Sequence, residues 1–192
     1  MTNFEQFLQD NSTRQFGGKP LFQPGSYDPN SAKPWQALAQ GSPVTAIAIN
    51  NAERKLQCTF PEGYKIFLQT LGPGSWAGLH FPHPTSLYAF DASCGEMEGY
   101  VILCFNVNGA GDYVAFNPKQ QESNIYFCSH DPLGCARIGA SFEELIKKLY
   151  ELKLANPKDD MATFYSSLEF KPTKPKPSPK KKKQKKWWQF WK

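Results

Sequence analysis

The spacing of hydrophobic positions predicts two amphipathic helices in the first half of the chain. The first covers about residues 44–57, where Val44, Ile47 and Ala48 recur at helical intervals. The second begins at about Pro61, which suits a first helical turn, and ends at the Gly-Pro-Gly sequence of residues 72–74. Its predicted buried face consists of Tyr64, Phe67, Leu68 and Leu71.

Three short apolar runs then predict a β-sheet. They cover residues 100–107, 113–116 and 125–128. The Asn-Gly-Ala-Gly-Asp sequence between the first two tolerates positive φ, which predicts a tight reversal and an antiparallel hairpin. Residues 101–105 are apolar without alternation, which predicts a central strand covered on both faces.

The last predicted helix has the clearest local signals. Ser141 is its predicted N-cap, with Glu144 three residues later to complete a capping box. Its end is predicted near Asn156, because the residue before a proline is biased out of the helical region. Its predicted buried stripe consists of Phe142, Leu145, Ile146 and Leu149.

Glycine and proline interrupt the first 43 residues, which predicts an irregular arm with one short helix at about residues 3–10. Several aromatic side chains of this arm are unfavourable in water, so we expect it to lie against the body. The predicted fold class is therefore α+β: an antiparallel β-sheet, a meander, flanked by helices, with an irregular N-terminal arm and a disordered basic C-terminal tail. The aromatic residues of the arm are Phe16, Phe22, Tyr27 and Trp35.

The net charge of +5 hides an asymmetry along the chain. Residues 171–192 hold ten lysines and no acidic residue, whereas residues 1–170 hold 12 basic and 17 acidic residues, a net charge of −5. We therefore predict an arm over residues 1–43, a folded domain over 44–156, a connecting segment over 157–170 and a disordered tail over 171–192.

The sequence favours a cytoplasmic protein. Its longest apolar runs are far shorter than the roughly 18–20 residues of a spanning helix. The first residues include an acid and no apolar stretch of the kind found in a secretory signal. The cysteines are odd in number and form no C-x-x-C pair, which favours reduced, mostly buried thiols. They are Cys58, Cys94, Cys104, Cys128 and Cys135.

The candidate catalytic and metal-binding residues do not form a known motif. Pro82 and Pro84 exclude the helical i,i+4 spacing that makes paired histidines, here His80 and His83, a strong zinc signal. His130 and the following Asp131 are half of a catalytic dyad at most. We therefore predict no catalytic residue, no metal and no cofactor, and expect that the protein is not an enzyme.

Three acidic residues cluster in the loop before the strands. A solvated loop explains them, and an acidic patch that steers a basic protein partner is the alternative. They are Asp91, Glu96 and Glu98.

Four segments in this order resemble the SUKH superfamily, which joins cell-wall assembly regulators of the Smi and Knr type to many bacterial immunity proteins. They are residues 60–68, 108–113, 125–131 and 140–145, and the resemblance covers about residues 44–150.

The resemblance implies an α+β fold and a binding role, commonly the neutralisation of a toxin, and no enzymatic activity. It also implies that the matched residues define turns and a helix cap rather than a toxin-binding site. These are Gly109, Gly111, Asp112, Ser141 and Phe142.

The tail is predicted to bind an anionic surface. Residues 171–179 are rich in lysine and proline, which predicts an extended, solvated spacer. Tryptophan favours the headgroup level of a bilayer, and each lysine near an anionic leaflet contributes about 1 kcal/mol, so we expect peripheral attachment to the inner face of the cytoplasmic membrane. Nucleic acid is the alternative partner, since lysines neutralise phosphates and aromatic rings stack on bases, and a tail that only increases solubility is the third interpretation. The predicted binding residues are Lys180, Lys181, Lys182, Lys183, Lys185, Lys186, Trp187, Trp188, Phe190 and Trp191.

These observations lead to one expected function. The protein is expected to be a non-enzymatic binding module, an immunity protein whose partner is a toxin, held near a membrane by its tail. A regulatory or scaffold adaptor of the cell envelope is the alternative from a different class.

Overall fold

The computed structural model describes residues 1–25, 42–105, 111–120, 122–131 and 133–158. Within these ranges the protein combines helices with antiparallel sheets, so the predicted α+β class is confirmed. The predicted tail over residues 171–192 lies outside the described residues, as do most of the connecting segment and part of the arm.

The N-terminal arm begins with helix α1, Asn3–Ser12, where the sequence predicts a helix at about residues 3–10. Its start is fixed by a capping box: Thr2 Oγ1 accepts from the Glu5 amide at 3.0 Å, and the Glu5 carboxylate accepts from the Thr2 amide at 3.1 Å. One face of this helix is buried in the core through Phe4 and Leu8. The arm therefore packs on the body from its first turn.

The rest of the described arm holds more regular structure than its glycines and prolines predict. Strands β1, Gln15–Phe16, and β2, Lys19–Pro20, form a small antiparallel hairpin. Strand β3, Phe22–Pro24, pairs with β4 of the body. The local pattern does not indicate these strands because each is only two or three residues long and is ordered by its partner strand.

A three-stranded sheet joins the arm to the body in the order β3-β4-β5. Strand β4 is Gly74–Trp76 and strand β5 is Leu79–Phe81, with Trp76 opposite Leu79 across a two-residue turn. The sequence predicts only an irregular passage here, so this hairpin is a correction to the expected fold.

Two helices precede that hairpin, close to their predicted positions. Helix α2 is Ala46–Leu56, and the hydroxyl of Thr45 caps it by accepting from the Ala48 amide at 3.3 Å. Helix α3 is Glu62–Thr70, with Pro61 as its N-cap residue.

The main sheet is a four-stranded antiparallel meander in the order β6-β7-β8-β9. Its strands are β6, Val101–Phe105, β7, Tyr113–Phe116, β8, Ile125–His130, and β9, Leu133–Gly139. Strand β9 is not predicted by the sequence pattern. It extends the expected three-stranded meander by one strand.

Strand β6 lies at one edge of this sheet, and the expectation of a central strand is therefore wrong. Its faces are nevertheless both covered, since residues 101–104 are all buried. Its outer edge is also protected: the Ile102 amide donates to the Tyr88 carbonyl at 3.0 Å, and the Phe90 amide donates to the Tyr100 carbonyl at 2.9 Å. The unbroken apolar run of β6 reflects this cover from the preceding segment.

Helix α4, Phe142–Ala155, ends at Asn156 as the proline after it predicts. Ser141 Oγ accepts from the Glu144 amide at 3.1 Å. The Glu144 carboxylate accepts from the Ala140 amide at 2.7 Å, one residue before the position that a capping box requires. Both side chains therefore accept from backbone amides at the start of the helix. Glu144 accepts from the amide of Ala140 rather than from that of the N-cap residue Ser141.

The main core lies between the helices and one face of the four-stranded sheet. Trp76 is fully buried within it, and the indole Nε1 donates to the Ile146 carbonyl of α4 at 3.2 Å. The rings of Phe7 and Phe67 lie 6.2 Å and 6.3 Å from the Trp76 ring. This residue therefore joins the arm, the small sheet and two helices in one packed unit.

Candidate functional site

A second, smaller hydrophobic cluster lies on the opposite face of the four-stranded sheet. Alternation along β7 places Ala115 in this cluster and Val114 and Phe116 in the main core. Residues 91–98 cover the cluster with two 3₁₀ turns that are separated by a break at Gly95. The buried members of the cluster are Met97, Tyr100, Ala115 and Cys128.

Beside this cluster, a groove of about 270 Å³ opens at the end of the sheet where β7 begins, β8 ends and β9 begins. Most of its lining is apolar or aromatic. Tyr88 and Leu133 stand on its rim, 48% and 44% exposed, among the few large hydrophobic residues of the described ranges that face solvent to this degree. The lining consists of Tyr88, Ala89, Phe90, Asp91, Cys94, Met97, Tyr113, Ser129, His130 and Leu133.

The size of the groove limits what it binds. Pockets for small molecules usually enclose about 300–1,000 Å³, and this groove falls just below that range. It is suited to one or two large side chains of a docking polypeptide. The two exposed hydrophobic residues on its rim are the kind of anchors that stabilise such contacts.

A hydrogen-bonded pair of side chains fixes the wall of the groove next to the β7–β8 end of the sheet. Asp112 is only 7% exposed, and its carboxylate accepts from the His130 amide at 3.0 Å and from His130 Nδ1 at 2.9 Å. A Cβ atom at Gly111, whose φ is +91°, would lie 3.6 Å from that ring nitrogen. His130 therefore pairs with Asp112 rather than with Asp131, and the pair holds the strand end in place.

We predict that Asp112→Ala lowers the free energy of unfolding by about 1–3 kcal/mol, because the His130 amide loses its acceptor in a partly buried hydrogen bond. Urea unfolding monitored by circular dichroism measures this change. Asp131→Ala is the matched control, since Asp131 is exposed and adjoins the same histidine. Equal stability of the two variants would contradict the structural role of Asp112.

The three acids predicted to form a patch lie on or beside the segment that borders the groove. Asp91 lines the groove and caps the first 3₁₀ turn by accepting from the Ser93 amide at 2.8 Å and from Ser93 Oγ at 2.5 Å. These hydrogen bonds lower the pKa of Asp91, which keeps it ionised. Glu96 and Glu98 are exposed on the same segment. The lining residues include Asp91 and His130 but neither lysine nor arginine.

Burial makes four of the cysteines poor nucleophiles. It raises the pKa of Cys58 to about 11 and of Cys104 to about 12, and it also raises the pKa of Cys128 and Cys135. A thiolate is the reactive form of cysteine, so these groups react slowly near neutral pH. Cys94 and Cys135 pack against the second cluster as small hydrophobic residues.

The three histidines lie apart from one another in separate local contacts. His80 Nδ1 lies 3.2 Å from Ser75 Oγ, and His83 Nδ1 lies 2.8 Å from Thr85 Oγ1. Within the described ranges, no group of three or more His, Cys, Asp or Glu residues is arranged to hold a metal ion.

We predict that His80 makes the stability of the protein depend on pH. Burial lowers its pKa from 6.5 to about 4. The His80 side chain of the unfolded chain binds a proton below about pH 6.5, whereas that of the folded protein does so only near pH 4. The contribution of His80 to the free energy of unfolding is therefore fully present above pH 6.5 and is lost as the pH falls from 6.5 to 4. Urea titrations across this window measure the loss, and His80→Gln should flatten that part of the curve. An unchanged slope in His80→Gln would assign the effect to other groups.

The structure places the remaining predicted site residues as follows. Gly111 and Asp112 stand at the start of β7, Ser141 caps α4, and Phe142 is buried in the main core. Gly109 lies outside the described residues. So do the predicted surface-binding residues of the tail, which are Lys180, Lys181, Lys182, Lys183, Lys185, Lys186, Trp187, Trp188, Phe190 and Trp191.

The fold and the groove together define a class of protein: an α+β domain with a small, apolar, acid-bordered surface site. Residues 43–148, more than half of the chain, match the sequence model of the SMI1 / KNR4 family (SUKH-1), and the chain belongs to that family. The family membership agrees with the predicted SUKH resemblance. No curated protein matches the chain. Among the described residues, no helix has the length and apolar character that crossing a bilayer requires.

Proposed function

We propose that this protein is a non-enzymatic binding module that neutralises a toxin, as an immunity protein. The observation that carries the proposal is the match of residues 43–148 to the SMI1 / KNR4 (SUKH-1) family, which is compatible with an immunity-type module that binds a protein. The groove supports it, because its volume fits the side chains of a docking protein better than a small substrate.

We assign the partner-binding surface to the groove and the acidic segment beside it. Tyr88 and Leu133 are its hydrophobic anchors. Asp91, Glu96 and Glu98 attract a basic partner and raise the rate of encounter without forming a covalent bond. A basic surface is common among toxins that act on nucleic acids, since such proteins must bind phosphates.

An immunity protein is expected to be encoded beside its toxin, and growth of cells that produce a candidate toxin from such a neighbouring gene tests the proposal. Co-production of the full chain is expected to restore growth, and the double variant Tyr88→Ala with Leu133→Ala is expected to protect much less. The matched control is Ile47→Ala with Leu154→Ala, two hydrophobic residues that are also exposed but lie outside the groove. Loss of protection in both variants, or in neither, would show that the groove is not the binding surface. Absence of protection by the native chain would refute the immunity function.

We further propose that residues 180–191 attach the protein peripherally to an anionic membrane surface. The support is the sequence alone, in which six lysines precede three tryptophans and a phenylalanine. The two kinds of side chain act together, since the lysines supply long-range attraction and the aromatic rings enter the interface. A location at the inner face of the cytoplasmic membrane follows from this proposal.

Sedimentation with lipid vesicles tests the attachment. The full chain is expected to sediment with anionic vesicles and not with neutral ones. Replacing Lys180, Lys181, Lys182 and Lys183 by glutamine is expected to weaken binding about 1,000-fold, given about 1 kcal/mol for each lysine. Equal retention on both kinds of vesicle would contradict the proposal, and tight binding to single-stranded DNA without vesicle binding would favour nucleic acid instead.

A further inference from the structure

We propose that the aromatic segment of residues 187–191 is an intramolecular ligand for the groove beside Tyr88 and Leu133. The segment would occupy the groove until a partner or an anionic surface competes for it. The docking itself does not depend on the identity of the partner. Only its regulatory meaning rests on the proposed function.

The chemistry of the groove matches this segment. Tyr88, Phe90 and Tyr113 contribute aromatic side chains to the lining, and Met97 contributes a polarisable one, all of which suit contact with an indole ring. The groove volume of about 270 Å³ suits one or two such rings. A groove of this kind has room for the side chains of a short peptide but not for a folded domain.

The charges are also complementary. Asp91 is in the lining and Glu96 and Glu98 are exposed on the same segment, whereas the described residues that line the groove include no lysine or arginine. Six lysines lie within the eight residues that precede Trp188. An occupant that brings lysines next to its aromatic rings therefore satisfies both the apolar lining and its acidic border.

The length of chain between the two sites permits the contact. The described structure ends at Lys158, and Trp187 follows 29 residues later. A polypeptide of this length reaches at most about 100 Å when fully extended, while a domain of this size is roughly 35 Å across. A ligand tethered within this reach has an effective concentration of up to about the millimolar range, which favours even a weak contact.

Two other surface cavities of the described residues are less suited to this segment. One, of about 500 Å³, is lined by Lys19, Lys153 and Lys158 and repels a lysine-rich ligand. The shallow site on α4 is lined by Glu143, Glu144 and Glu151 but also by two lysines, and it has no aromatic residue.

Photo-cross-linking in the full chain tests the inference. A benzophenone amino acid in place of Trp188 is activated by light, and mass spectrometry locates the cross-links in the monomer band. We expect them within residues 86–98 and 128–134, with a yield that falls as salt rises. Cross-links spread over the whole surface, or found only between two chains, would overturn the proposal.

A pair of matched charge variants sharpens the test. Asp91→Asn, Glu96→Gln and Glu98→Gln together are expected to reduce the cross-link yield about fivefold. The control neutralises three acids on the helical side of the protein, Glu62→Gln, Glu143→Gln and Glu151→Gln, and should leave the yield unchanged. An equal loss of cross-link yield in both variants would show that the net charge of the domain alone attracts the tail. That result would overturn the proposal of a defined docking site.

Vesicles and toxin separate this inference from the proposed function. Anionic vesicles are expected to lower the cross-link yield, and neutral vesicles are not. Groove cross-links in a protein that gives no toxin protection would uphold the docking and refute the immunity function. Toxin protection without groove cross-links would support the immunity function and refute the docking of residues 187–191.

Discussion

Replacing Trp76 by alanine is expected to lower the free energy of unfolding by about 3–5 kcal/mol. The indole is fully buried, and its loss leaves a cavity between the small sheet and α4. It also removes the hydrogen bond to the Ile146 carbonyl. Urea unfolding monitored by circular dichroism measures the change.

Two further variants identify the cause of that loss. Trp76→Phe retains a ring but loses the Nε1 donor, so its effect is expected to be smaller than that of alanine. Ile47→Ala changes a side chain that is 73% exposed and should alter stability by less than about 0.5 kcal/mol. A Trp76→Ala protein as stable as Ile47→Ala would contradict the central position of the indole in the core.

Removing residues 1–24 is expected to abolish folding, although the family match begins only at residue 43. Four side chains of this segment are buried in the main core, each worth about 1.5–3 kcal/mol, and their sum approaches the 5–15 kcal/mol that stabilises a typical domain. The segment also pairs with β4 and donates a hydrogen bond from Arg14 to the Tyr150 hydroxyl. The buried side chains are Phe4, Leu8, Leu21 and Phe22.

Thermal unfolding and hydrogen exchange of the shortened protein test this prediction. A milder comparison uses the full chain: Phe4→Ala with Leu8→Ala should lower the melting temperature strongly, whereas Asn3→Ala with Gln9→Ala changes exposed positions of the same helix and should not. A cooperative transition in the protein without residues 1–24 would show that the family region folds by itself.

The elements that the sequence predicts well are those whose signals are local. Helix α4 carries its N-cap at Ser141, its apolar stripe and a proline after its end, and these act through neighbours within a few residues. Helix α3 is similarly recognisable from its apolar face. Neither helix needs a distant partner to be identified.

The hairpin of β4 and β5 shows why the small sheet is not predicted. Its two-residue turn has positive φ at both Ala77, 53°, and Gly78, 98°. Such turns normally carry Asn-Gly or Asp-Gly, and an alanine at the first position removes the usual signal. Strand β9 is missed for a related reason, because its glycines at 134 and 139 and its Arg137 interrupt the pattern of a strand.

The candidate site is even less visible in the sequence. The acids at positions 91, 96 and 98 are apparent as a local cluster, but the groove beside them gathers residues from the segment 88–97 and from three strands. The pairing of Asp112 with His130 depends on the register of β7 against β8. Tyr88 and Leu133 become neighbours of one groove only after the sheet has formed, so no spacing in the sequence indicates them.

The burial of Trp76 also bears on when the main core can form during synthesis of the chain. The indole is enclosed only when Ile146 arrives, 70 residues later in the chain. Strand β3 likewise waits for β4, about 50 residues away. Nascent chains that stop before α4 therefore expose a large apolar surface, which is the signal that chaperones recognise. The core is therefore expected to close late in translation.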